Sequence, residues 1–168
     1  MTGMNEKSMR PTDLALAFLA SAATVAVGAG LTVLVGSILD WSGAGWAALH
    51  LVLLGAVSLL IIGISQFFVT AFLATTPPSR KAVSAQIGCW VSGSVAVVAG
   101  VSAGIDFLTV VGVIALLGGL VLYGRSLSQL HSRSLQSAPW ASRWYVACGL
   151  WLVCGIGLVD GRPVGFVA

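Results

Sequence analysis

From Trp46 to Ala74 the chain runs for nearly thirty residues without a charged side chain; His50, Gln66 and a few hydroxyls are the only polar groups in it. As a helix rising ~1.5 Å per residue, this stretch reaches about 43 Å, longer than the ~30 Å hydrocarbon core of a bilayer, so it tilts or projects from one face. A segment this long and this apolar has no place on a water-soluble surface. It sets the fold class of everything around it.

Composition extends the constraint to the rest of the chain. Apolar residues make up 58% of the sequence and charged residues only 8%, with a mean hydropathy of +1.02. That charge is too little to cover a soluble domain. Lipid leaves backbone groups without partners, so spans are helices or closed-barrel strands. Barrel strands alternate apolar and polar residues over ~10 positions, whereas the runs here are continuous. The expectation is an all-α, polytopic transmembrane bundle forming one domain over residues 1–168, with five spans at about 14–39, 46–74, 83–103, 107–124 and 140–159. The first is too long, and lacks the cleavage pattern, to be a removable signal peptide.

Charge placement gives an orientation. Lys7, Arg10, Arg80, Lys81, Arg125, Arg133 and Arg143 fall on one side of a five-span chain and only Arg162 on the other, where Asp40, Asp106 and Asp160 lie. The positive-inside rule then puts the N-terminus in the cytoplasm and the C-terminus outside. The net charge of +3 is accounted for at juxtamembrane positions facing anionic lipid, so no nucleic acid is implied. The polar stretch "GRSLSQLHSRSLQSAPWASRW" is expected to continue the fourth helix before Pro139, with His131 at the surface. Cys89, Cys148 and Cys154 read as apolar packing residues without a metal or redox spacing.

Within lipid, helices associate by close packing, and small residues mark the contacts. Gly88, Ser92, Ala96, Gly100 and Gly104 recur every four residues and form an expected ridge, toward either this chain or another subunit. On it, Gly100→Leu is expected to disrupt assembly. Shorter ridges run through Ala22, Ala26 and Gly30 and through Gly28, Thr32 and Gly36. "ATTPPSRK" ends the second span, because Pro77 and Pro78 force the preceding residues out of helix. "DWSGAGW" makes a tight hairpin with Trp41 and Trp46 at the interface.

Candidate chemistry is sparse. The five acidic residues lie at or beyond helix ends, where a proton pump would carry ionisable groups at depth. Gln66 is the most polar residue within the spans, and with Ser58 it marks a conceivable polar path for a small transporter or channel. No phosphate-binding loop, nucleophile elbow or carboxylate pair occurs. His50 remains: either an interfacial histidine or an axial ligand to haem or another metal centre.

"LHLVLLGAVSLLIIGISQFF", "PPSRKAVSAQIGCWVSGSVAVVAGV" and "SRWYVACGLWLVCGIGL" resemble the N-terminal half of bacterial and archaeal modules related to subunit I of haem-copper oxidases and to nitric-oxide-response membrane proteins, some fused to copper nitrite reductases. The resemblance runs over about positions 14–160 and implies haem as cofactor, with His50 in the place of the low-spin haem ligand near the outer start of the second helix. The chain departs from the oxidases in having five spans and lacking their later histidines, so it holds no binuclear centre of its own. The expected function is a scaffold-like subunit of a homo-oligomer or of a respiratory or metal-handling assembly, without its own catalytic site. The alternatives are a haem-binding electron-transfer module and a small transporter.

Overall fold

The computed structural model describes residues 9–132, together with the single positions Ala147 and Trp151. The expected fifth span, 140–159, lies outside the described stretch. Within that stretch the chain is helix and turn only, and four helices are long and apolar enough to cross a membrane.

Helix α1 is Pro11–Ile38. Pro11 occupies the first turn, where its missing N–H removes no helical bond, and the Asp13 carboxylate accepts the Arg10 N–H at 3.4 Å. The helix stops at Leu39, and Asp40 turns the chain with φ 51°, a left-handed value that a short polar side chain tolerates. Helix α2 covers Ala44–Phe72 as one rod of 29 residues. It is α-helical to His50, π-helical over Leu51–Val57, and α-helical again from Ser58. Ala74, at φ 48°, closes it before the two prolines.

Helix α3, Arg80–Ala103, starts at Ser79, whose hydroxyl accepts the Ala82 N–H at 3.3 Å. It ends on Gly104 at φ 66°, with the Ile105 N–H returning to the Gly100 carbonyl at 2.8 Å, the left-handed glycine stop of many helices. Helix α4, Asp106–Ser132, follows almost at once. It runs past the expected end at Gly124 because nothing between there and Ser132 breaks a helix, so the first part of the polar stretch is its last two turns.

The helices form two antiparallel hairpins, α1–α2 and α3–α4. On α1 the buried positions are Leu14, Phe18, Ala22, Val25, Ala29 and Gly36, at steps of four, four, three, four and seven. Steps of three, four and seven keep one face of a helix toward a neighbour. Gly55 and Gly63 of α2 receive Val25 and Phe18 from α1: a Cβ at Gly55 lies 2.7 Å from Val25 Cγ1, and one at Gly63 overlaps the Phe18 ring.

The α3–α4 seam brings backbone against backbone. A Cβ on Gly112 falls 2.6 Å from the Val97 backbone nitrogen and 2.9 Å from the Gly93 carbonyl oxygen, and a Cβ on Gly93 falls 2.9 Å from the Gly112 oxygen. Gly100 lies against Thr109, and Gly119 against Trp90. Two glycines on each helix, seven residues apart, form the contact.

The five positions of the expected ridge do not all enter this seam. Four residues advance ~400° around a helix, so each step drifts ~40° and five positions wind through about 160°. Gly100 alone of the five is buried in the seam. Ala96 is half-buried, Gly88 and Ser92 are exposed, and Gly104 is the helix stop. Gly100→Leu therefore strikes Thr109 inside the chain and is no probe of assembly. The α1 ridges divide the same way: Ala22 and Gly36 are buried, Ala26 and Gly30 exposed, and Gly28 and Thr32 between them.

The outer surface is apolar to a degree water does not tolerate. Phe107 is 78%, Ile38 72% and Phe72 71% exposed, along with many aliphatic side chains on α1 and α4. The interior, by contrast, holds polar groups.

Candidate functional site

Among the described residues, helix α2 takes part in the buried hydrogen bonds that join helices, and the candidate site is the line of these links along it. At its start the His50 ring stacks on Trp46 with centroids 4.0 Å apart, and Nδ1–H donates to the Trp46 carbonyl at 2.8 Å. The carbonyl can only accept, so Nδ1 is the donor and Nε2 is not engaged by this bond. The ring is half-buried.

One turn further, the π segment alters the backbone. In an α-helix the Leu54 carbonyl would take the Ser58 N–H. Here the Ser58 N–H goes to Gly55, and the Leu54 oxygen accepts the Trp90 indole N–H of α3 at 2.9 Å; the Ser94 hydroxyl stands 3.3 Å from the same oxygen but gives its proton to the Trp90 carbonyl at 2.8 Å. A carbonyl that loses its Ser58 partner inside lipid needs another donor, and the Trp90 indole of α3 supplies it. Isolated π turns mark sites where a helix departs from its own regularity, often functional ones.

Near the far end of α2 lies a buried polar belt. Gln66 donates from Nε2 to Gln86 Oε1 at 2.8 Å, across α2 and α3; both residues are fully buried. Gln66 Oε1 and Gln86 Nε2 have no partner. Thr70 returns its hydroxyl to the Gln66 carbonyl at 2.6 Å. Ser65 donates to the Ile62 carbonyl at 2.9 Å, which leaves the Tyr123 hydroxyl of α4 to donate to Ser65 at 2.8 Å.

Of the two residues in the expected polar path, only Gln66 takes part in this belt. Ser58 is half-buried and donates to Leu53 of its own helix at 3.1 Å, since eight residues separate it from Gln66 and turn it ~80° away. The residues the sequence reading missed are Gln86, Trp90, Ser94 and Tyr123. Gln86 carried a signal: Gln66 and Gln86 stand about six residues either side of the same connection, so an antiparallel pair sets them at one depth.

Among the described residues no three of His, Cys, Asp and Glu gather to hold a metal ion. Asp13, Asp40 and Asp106 stand at helix starts or turns, and Cys89 is half-buried on α3. The line of links can tie helices together and can present one imidazole nitrogen at the start of α2. Comparison with protein-family models, with curated proteins and with solved structures gave no match.

Proposed function

We propose that the chain is a multi-pass subunit of a bacterial or archaeal plasma membrane, with five spans and a cytoplasmic N-terminus, and that its work is association with further copies or with other membrane subunits. The observation that carries this reading is the exposed small face of α3. A Cβ at Gly88 meets no atom within 4 Å, and Ser92, one turn on, satisfies its hydroxyl on the Gly88 carbonyl at 2.7 Å. The face is smooth, apolar in effect and unused by the α3–α4 seam, which suits close approach of another helix. The interior polar groups serve contacts between helices, as expected of a scaffold and not of a pump.

Because the space at Gly88 is open, Gly88→Leu leaves the monomer fold intact and blocks the approach. Size-exclusion chromatography with light scattering in mild detergent is expected to show a smaller particle for Gly88→Leu at an unchanged melting temperature. The same mass as the unmodified protein removes this face as an interface.

A second reading, a haem-binding electron-transfer subunit, rests on His50. A ligating imidazole commonly donates its other N–H to a carbonyl, and the Trp46 bond places His50 in that state. Among the described residues His50 is the one side chain that would hold a haem iron, and haem held there would supply one-electron chemistry. His50 would hold the iron and Trp46 would orient the ring; the second ligand would come from another subunit. Protein purified from haem-replete cells is then expected to show a Soret band that His50→Ala abolishes. A colourless unmodified protein ends this reading and leaves the first standing.

A further inference from the structure

Helices α1 and α3 begin side by side, and between their first turns they leave a slot of about 450 Å3. Arg80 and Asp13 stand in the first turns, Leu16, Val83 and Ser84 follow about one turn in, and Ile87 lies one turn beyond. Ile87 lies about 10 Å deeper than Arg80 at ~1.5 Å per residue. The slot opens sideways, since Leu16 is 60% exposed while Val83 is 2% exposed. A polar mouth, an apolar channel and a lateral opening together match a phospholipid and no soluble solute.

Charge selects the headgroup. Arg10, Arg80 and Lys81 against Asp13 leave this end two charges positive. The Asp13 carboxylate is engaged by the Arg10 N–H, whereas the Arg80 guanidinium has no hydrogen-bond or ion-pair partner among the described residues. A basic pocket between spans is the arrangement that binds acidic headgroups, and a guanidinium suits a phosphate geometrically.

We propose that this slot holds one anionic phospholipid, its phosphate on Arg80 and Ser84 and an acyl chain along Leu16, Val83 and Ile87. The proposal rests on the chain spanning a bilayer but not on its role as a scaffold, which the particle size of Gly88→Leu reports separately.

Native mass spectrometry of the detergent-purified full chain tests it, with phosphatidylglycerol and phosphatidylethanolamine added in equal amounts. Phosphatidylglycerol is expected to remain bound. Arg80→Gln is expected to weaken its retention roughly fivefold, the effect of one basic residue at such a surface, while Arg125→Gln, off the slot, leaves it unchanged. Ala17 also lines the slot, so Ala17→Phe fills the channel and is expected to remove the adduct at an unaltered melting temperature, which covers the case of Arg80→Gln folding poorly. Equal retention of phosphatidylethanolamine overturns the proposal, as does an unchanged adduct in Arg80→Gln and Ala17→Phe. Displacement of the lipid by millimolar inorganic phosphate also overturns it, because the site would then take a free anion.

Discussion

Gly112→Ala is expected to lower stability by about 2–3 kcal/mol, and Gly112→Leu to prevent the α3–α4 hairpin from closing. The new methyl carbon would stand 2.6 Å from the Val97 nitrogen and 2.9 Å from the Gly93 oxygen. Both are backbone atoms, so no rotamer change relieves the overlap and the helices must separate along the seam. Separation then loosens Gly100 from Thr109 and Gly119 from Trp90. Gly88→Ala provides the contrast on the same pair of helices. Nothing crowds it, and alanine exceeds glycine in helix propensity by ~1 kcal/mol, so that change is expected to be neutral or slightly stabilising. Thermal unfolding in detergent, followed by tryptophan fluorescence, distinguishes the two. Equal melting temperatures for Gly112→Ala and Gly88→Ala would mean the seam does not run through Gly112.

The contrast also shows where the sequence was informative. Spans were legible because charge and proline bound them. Arg80 and Asp106 open α3 and α4 within a few residues of where hydropathy set them, and Gly104 with Ile105 leaves little else for a connection. Which small residues pack was not legible from a repeat of four, because such a repeat winds around the helix while contact between two helices follows steps of about 3.5. Gly93 and Gly112 belong to no run of four, yet a Cβ on either would stand 2.9 Å from the other's backbone oxygen.

The π segment was hidden for a different reason. "LVLLGAV" contains no proline and no unusual residue; what sets Leu54 apart is an indole N–H that arrives from Trp90 on α3, far along the sequence. His50 was found because imidazole is rare in a span, but its orientation depends on the Trp46 carbonyl one turn before it. Gln66 was found for the same reason, and its partner was missed because each glutamine was weighed singly. Two isolated amides at matching depth on adjacent antiparallel helices are one feature.

That pairing gives the second large effect, and its sign is unusual. Gln66→Leu or Gln86→Leu alone is expected to cost about 2 kcal/mol, since the remaining amide stays fully buried with no partner at either end. The double variant is expected to sit close to the unmodified protein. Leucine has nearly the volume of glutamine, and replacing both removes the shared hydrogen bond together with the two orphaned atoms, Gln66 Oε1 and Gln86 Nε2. Hydrogen bonds between transmembrane helices contribute only ~0.6 kcal/mol on average and ~1.7 at most, so the bond itself is too weak to offset two desolvated amide ends. What the pair then supplies is register: it admits one sliding position of α2 on α3, the position at which Leu54 also meets Trp90 and Ser94. A double-mutant cycle measured by denaturant unfolding resolves this, because neighbouring pairs couple well beyond the ~0.3–0.5 kcal/mol additivity error. If the double variant loses the sum of the two single losses, the amides act independently and the belt holds no register.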